Sequence, residues 1–312
     1  MIVQLRESLL AHARAWNLPE AGKWSFIVHN NYQPVYSCVN IFWFNGRGRN
    51  PLVVTKLFPE PVLPQQEYRN LCDAHACAPG AVPAPFALNQ HGTSWALWMA
   101  GIPGSRLRVC DVTDGFVDRL CDMSVMIQRG VAARRQPNPR RYEEYVVAPL
   151  RFAISHYPGI AAACDRLLRW FERNGLEQIP SLPQHGDLYC ENIVVNGGKK
   201  WAIVDWELLG TVDLPFYDVA KFIFSLHSEV VPERWPADLR RHAHRLVRRY
   251  SEAIGLGTET VEHLLPLILA NWLYRQALAP GKARAAAALE NWCQNPAWRT
   301  FLLGATTSER SM

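Results

Sequence analysis

Apolar residues follow two rhythms along this 312-residue chain, and the change comes near Thr113. Before that point, Trp24 to Val28, Val35 to Phe44 and Leu52 to Leu57 are short runs dense in β-branched and aromatic residues, separated by polar or glycine-containing breaks. Such runs suit a pleated, half-buried surface, and their succession predicts an antiparallel meander. Pro64 opens a segment, Gln65 to Ala76, with helix character: proline stands in the first turn and Glu67 close behind it. Trp95 to Met99 is another apolar run, and it ends in the glycine and proline break Ala100-Gly101-Ile102-Pro103-Gly104. Met1 to Trp16 carries Arg6, Glu7 and Arg14 among its apolar residues, which predicts a surface helix and not a signal peptide.

After Thr113 the apolar spacing approaches 3.6 residues. Helices are predicted over Asp114 to Gln128, Tyr142 to His156, Ile160 to Asn174, Pro236 to Ile254, Thr258 to Gln276 and Lys282 to Trp292. One interruption stands out: Ile193 to Val195 and Trp201 to Val204 are strand-like and joined by Asn196-Gly197-Gly198, which predicts a hairpin. The expected fold class is therefore α+β, with a β-rich lobe over 1–98, a hinge over 99–104 and a larger, mostly helical lobe over 105–312. No internal repeat or low-complexity tract interrupts this plan.

The hairpin is where the chemistry-bearing residues gather. His185-Gly186-Asp187-Leu188-Tyr189-Cys190-Glu191-Asn192 leads into its first strand, and Asp205-Trp206-Glu207 follows its second. This puts Asp187 in a loop, Asn192 at a strand edge and Asp205 at a strand end, so that all three can converge on one small volume. Hard cations such as Mg²⁺ take oxygen donors, which Asn192 and Asp205 supply. Asp187 then remains to accept a proton from an acceptor hydroxyl. Transfer of a γ-phosphoryl group needs little more than such positioning and charge. If the chain is a kinase, Lys56 near the end of the third strand is the upstream candidate for the α and β phosphates of ATP and Glu67 the acid expected to pair with it, the alternative being an exposed edge lysine and a glutamate that answers the helix dipole. Glu207, two residues past Asp205, is a candidate for reaching a second metal through water or for positioning the acceptor, with a structural role as the alternative.

HGDLYCEN over 185–192, AIVDWE over 202–207 and the later Leu214-Pro215-Phe216-Tyr217-Asp218 resemble the aminoglycoside phosphotransferase and choline kinase group of small-molecule kinases. The resemblance implies a two-lobed protein-kinase-like fold, with Asp187 as catalytic base, Asn192 and Asp205 as metal ligands, and Asp218 as a buttress of the catalytic loop. In such loops His185 is architectural. The resemblance also implies that adenine docks on backbone at the strand end, which makes Met99, Ala100 and Ile102 candidates. One feature departs from protein kinases: the turn between the first two strands, His29 to Pro34, contains no glycine. Asn30 and Asn31, which accept left-handed backbone angles, are the candidate phosphate contacts there.

Composition narrows the setting. Lysine plus arginine number 33 against 28 acidic residues, an excess too small to argue for nucleic-acid binding. Five arginines lie between Arg129 and Arg141, where they suggest an anionic acceptor. A second basic cluster, Arg240 to Arg249, reads as a solvated helical face. The eight cysteines form no CxxC pair and read as reduced thiols, which with the absence of an apolar run near 20 residues predicts a cytoplasmic protein without integral membrane contact. The expected activity is Mg²⁺- and ATP-dependent phosphorylation of a hydroxyl on a small molecule, such as a sugar or amino alcohol. A polycationic aminoglycoside is disfavoured, because no acidic run follows Glu144. The alternative is a catalytically silent kinase fold that binds nucleotide or acts as a scaffold; a two-metal phosphohydrolase would need a denser His and Asp cluster.

Overall fold

The computed structural model describes residues 1–19, 23–32, 37–46, 48–197, 200–227 and 237–278. The helix expected over Lys282 to Trp292 lies outside them. Contacts divide the chain into a first unit of residues 1–107 and 191–209 and a second of 108–190 and 210–312. The motif hairpin thus groups with the amino-terminal residues.

In the first unit, strands β1 (Trp24–Tyr32), β2 (Ser37–Asn45), β3 (Val53–Phe58), β4 (Pro85–His91) and β5 (Ser94–Ala100) form an antiparallel sheet in the order β1-β2-β3-β5-β4. The expected meander is its first three strands. β1 extends beyond Val28 to Tyr32, so Asn30 and Asn31 pair with Val39 and Cys38 and do not sit in a turn. An edge strand can run on with polar residues because water satisfies its open side. Gln33 and Pro34 of the expected turn lie outside the described residues. β4 was not expected: its residues are only half buried, and Asn89-Gln90-His91 dilute its apolar character.

One face of this sheet carries the core. Side chains alternate along a strand, so Val53 and Leu57 of β3 join Ile41, Trp43, Ala96 and Trp98 in a buried cluster, where the Trp43 indole donates to Thr55 Oγ1 at 2.9 Å. Helix α1 (Ile2–His12) covers this cluster with Leu5 and Leu9, both fully buried. The amino-terminal helix is therefore not merely a surface helix; its Leu5/Leu9 spacing gives it an inner face. Lys56 lies on the opposite face of β3, where helix α2 (Val62–Cys77) presents Glu67.

A short strand β6 (Ser105–Arg106) pairs with β7 (Ile193–Asn196), which pairs with β8 (Lys200–Ile203), all antiparallel. Glycine is required where these segments approach: a Cβ on Gly104, at φ +141°, would stand 2.3 Å from the Val195 carbonyl oxygen.

The second unit is helical among its described residues: α3 (Asp114–Ala132), α4 (Ala148–His156), α5 (Pro158–Asn174), α6 (Tyr217–His227), α7 (Ala237–Ile254) and α8 (Thr258–Leu278). Thr113 caps α3, its hydroxyl accepting from Phe116 N–H at 3.2 Å. The predicted helix over Tyr142 to His156 is split, because Glu143–Val147 forms a wider π turn before α4. The Tyr145 carbonyl in that turn accepts a hydrogen bond from buried Asn271 of α8. α6 was not expected as a helix. The basic cluster of α7 is not simply a solvated face: Arg245 and Arg249 pair with Asp118 and Asp122 of α3 at 2.7 and 2.8 Å, and His242 is buried. Arg141, from the first arginine cluster, is likewise spent on Asp213 (3.0 Å) and on the carbonyls of Ile179 and Pro180.

Candidate active site

In the first unit the hairpin brings Asn192 and Asp205 together through backbone pairing. Ile193 is the partner of Ile203, and the Asn192 carbonyl accepts from Val204 N–H at 2.9 Å, one residue before Asp205. Asp205 itself adopts a left-handed backbone, φ 70° and ψ 63°, which turns the chain sharply at the strand end. Asp tolerates this region better than most residues, and such conformations collect at functional sites. The turn is pinned twice: the Trp206 indole donates to the Ile203 carbonyl at 2.9 Å, and Asn70 of α2 donates to the carbonyls of Trp206 and Glu207 at 3.0 and 3.1 Å. Asn70 was not anticipated. It follows Glu67 by three residues on one helix face, a spacing that points to the site only once the packing of α2 has shown that Glu67 faces it.

Four charged groups meet there. Lys56 Nζ pairs with Glu67 Oε1 at 2.5 Å, with Asp205 and, at 3.9 Å, with Glu207 Oε2. Oxygens of Glu67, Asp205 and Glu207 all lie within 4.8 Å of one another. Burial works against the Lys56 charge, yet Glu67, Asp205 and Glu207 outweigh it and hold the ammonium well above its usual range. Glu67 moves up from its ordinary value because burial, aided by Asp205, exceeds what Lys56 returns. One ammonium therefore faces three carboxylates. Glu67 Oε2 is moreover buried with no hydrogen-bond partner, which leaves an oxygen and an excess of negative charge that suit a hard divalent cation.

The expected adenine contacts lie at the end of β5 and just beyond it. Met99 is buried within β5, the Ala100 N–H donates to Ala84 O, and the Gly101 N–H donates to Leu52 O, both at 2.8 Å. Of the three candidates, Ile102 follows these paired residues. Asn30 is exposed on the edge strand β1.

In the second unit, Asp187 lies in a loop held from several directions. The Gln184 N–H donates to Val212 O and the Gly210 N–H to Gln184 O, at 2.8 and 2.9 Å. Gly186, at φ 85°, makes the bend. His185 is buried, and its Nδ1 accepts from the Asp187 N–H at 3.2 Å. Asp218, at the start of α6, accepts from the N–H groups of His185 and Gly186 at 2.6 and 2.9 Å. Burial raises the Asp218 pKa, against the opposing pull of His185, these two N–H groups and Lys221. One turn further along α6, Lys221 Nζ donates to the Gly186 carbonyl at 2.6 Å and to Asp187 Oδ1 at 3.0 Å. Lys221 was missed, like the helix that carries it.

A model of the phosphotransferase enzyme family matches residues 40–254, and the chain belongs to this family. No curated protein matches it. Among solved structures, the aminoglycoside phosphotransferase APH(4)-Ia is 14% identical over 98% of this chain and 99% of its own, with a TM-score of 0.55. An ethanolamine kinase of Plasmodium vivax is 11% identical, covering 89% of this chain and 83% of its own, with a TM-score of 0.58. An amicoumacin kinase, solved with AMP-PNP, Ca²⁺ and Ami, is 11% identical, covering 86% and 87%, with a TM-score of 0.57. At these identities the structures establish the fold, a two-lobed kinase-like α+β architecture. Among the described residues no single helix is long and apolar enough to cross a membrane.

Proposed function

We propose that this phosphotransferase is a kinase that moves the γ-phosphoryl group of Mg-ATP to a hydroxyl of a small molecule, such as a sugar or amino alcohol. The observation that carries the reading is the cluster of Lys56, Glu67, Asp205 and Glu207, in which a buried ammonium is fixed by acids that outnumber it. Related folds have been solved with ADP and hygromycin B and with AMP-PNP and Ca²⁺, which fits a nucleotide and a divalent cation here.

In this reading Lys56 holds the α and β phosphates, and Glu67 keeps its ammonium from swinging away. Asp205 and Asn192 hold Mg²⁺, with Glu207 in reserve as a further oxygen donor. Held by these oxygens, a divalent cation would supply positive charge against the negative charge that builds on the phosphoryl group during transfer. Asp187 accepts the proton of the acceptor hydroxyl. That oxygen bonds to the γ-phosphorus as the bond to the bridging β–γ oxygen breaks, and ADP leaves. Asp218 and His185 keep the Asp187 loop in one shape, so little reorganisation is left for the reaction itself. Neutral or anionic acceptors fit this reading better than polycations, since Lys221 already offsets the charge of Asp187.

The test is acceptor-stimulated ADP release by the purified protein across sugars, amino alcohols, amino acids and aminoglycosides, with and without Mg²⁺. Turnover that needs Mg²⁺ and disappears in Asp187→Ala supports the reading. In Asp205→Ala, Mg²⁺-dependent nucleotide binding should weaken as well, by titration. Tight nucleotide binding with no turnover on any acceptor points to the silent kinase fold, and absence of nucleotide binding overturns both.

A further inference from the structure

Helix α6 carries a polar stripe that faces the Asp187 loop. Asp218, Lys221 and Ser225 stand at i, i+3 and i+7, the spacing that keeps residues on one helix face. Each engages the loop in turn. Asp218 takes the N–H groups of His185 and Gly186, Lys221 takes the Gly186 carbonyl and the Asp187 carboxylate, and Ser225 Oγ accepts from Cys190 N–H at 3.0 Å. Of these contacts, that of Lys221 reaches the side chain to which the proposed mechanism assigns the proton.

A lysine in this position is costly unless its charge is matched. Lys221 is 6% exposed, and a buried ammonium without partners gives up its hydration with nothing in return. Its surroundings compensate: Tyr189 and Tyr217 place their ring faces 5.0 and 5.3 Å from Nζ, a cation–π arrangement. Burial would lower the pKa of Lys221, but Tyr217, Tyr189 and Asp187 more than offset it, so the group stays charged. The same packing pushes the Tyr189 phenol up to about 12, chiefly by burial. The lysine thus sits in a neutral aromatic sleeve with one carboxylate partner in direct contact, Asp187. A lysine serving stability alone has no need of the one acid in the loop that the reaction uses.

We propose that Lys221 is a positioning residue for Asp187, anchoring on the Gly186 carbonyl and fixing Asp187 Oδ1 so that the carboxylate meets the acceptor hydroxyl in one orientation. This rests on the assignment of Asp187 as the base. Lys221, His185 and Tyr189 stand near Asp187, with Asp218 behind the loop backbone, and Lys221 brings a full positive charge within 3.0 Å of Asp187 Oδ1.

The experiment is a double-variant cycle read by kcat and by nucleotide affinity, with thermal melts as a folding control. Lys221→Met should lower kcat by roughly 10²-fold, the scale of removing one oriented electrostatic partner, while nucleotide affinity stays near that of the parent. In an Asp187→Asn background, where single-turnover rates are already low, the same change should alter the rate by less than about threefold, because its partner is gone. Lys221→Gln, which keeps a donor for the Gly186 carbonyl but not the charge, serves if Lys221→Met does not fold, and should show the same coupling. An equal loss in both backgrounds means that Lys221 only supports the loop, and it overturns the proposal, as does parent-like turnover in Lys221→Met. Failure of the base assignment is read separately: Asp187→Asn would then turn over like the parent.

Discussion

Replacing Lys56 by methionine retains most of the buried stem and deletes only the charge. Three carboxylates then remain with oxygens within 4.8 Å of one another, and the most buried of them, Glu67, is 2% exposed. Removing one partner of a buried ion pair costs about 3–5 kcal/mol, because it strands the other charge. The lower end applies here, since the Asp205 and Glu207 side chains are 31% and 22% exposed and reach water. A loss of roughly 3 kcal/mol at pH 7 corresponds to a fall in Tm of roughly 6–12 °C for a domain of this size class. The sign of its pH dependence follows from Glu67. Burial already raises the Glu67 pKa and Lys56 is what restrains it, so without Lys56 the folded-state value climbs further above the unfolded one. A carboxyl raised in this way contributes most below its unfolded pKa and loses that contribution as pH rises through the folded value. The deficit of Lys56→Met should therefore narrow as pH falls from 8 towards 5. Changing both partners, Lys56→Met with Glu67→Leu, should recover part of the loss. Thermal melts across this pH range provide the assay; a Tm equal to the parent's at every pH would refute the view that Lys56 compensates these acids.

Three further outcomes are expected. Burial pushes the thiols of Cys121 and Cys164 up to about 11, whereas Cys110 is exposed, so iodoacetamide at pH 8 should label Cys110 before either of them; mass spectrometry showing equal rates for the three would contradict the buried packing. Gly104→Ala places a Cβ 2.3 Å from the Val195 carbonyl oxygen at φ +141° and should cost on the order of 1–3 kcal/mol by chemical denaturation, with an unchanged midpoint the contrary result. Hydrogen bonding from Arg245 holds the Asp118 carboxyl below its usual range, so the contribution of this pair is present above the unfolded carboxylate pKa and disappears as pH falls through the folded value. Asp118→Asn should remove that acid-sensitive part from the Tm profile, and 1 M salt should weaken it in the parent.

What was legible in the sequence follows from how strongly each segment must bury apolar surface. β2, β3 and β5 are inner strands, and their dense apolar stretches, rich in Val, Ile, Phe and Trp in β2 and β3 and in Trp, Leu and Met in β5, announced them. β4 is an edge strand with one partner and half-buried residues, so Asn89 and Gln90 were tolerated and the pattern blurred. The extension of β1 through Asn30 was hidden for the same reason. Helix α6 was obscured differently. Tyr217–His227 is apolar on most sides, and its few polar residues read as part of a motif and not as one face of a helix. The acids and amides of the site were recognisable because oxygen donors at the ends of adjacent strands are an uncommon pattern. Their supporting groups were not, since Asn70 and Lys221 lie on helices whose contacts depend on tertiary packing.

Those two residues obey one rule. On α2, Glu67 binds Lys56, and three residues later Asn70 binds the carbonyls of Trp206 and Glu207. On α6, Asp218 binds the N–H groups of His185 and Gly186, and three residues later Lys221 binds the Gly186 carbonyl and Asp187. Each helix thus supplies two contacts one turn apart, one or both of them to loop backbone and at least one to a charged side chain of the candidate site. A loop held only by backbone would leave its side chain free to rotate, and a side chain held alone would let the loop drift. Because i and i+3 positions share a helix face, one rigid element can fix both at once. The polar residue one turn past a recognised acid, on a helix that is otherwise apolar, is therefore the position in such a sequence to test next.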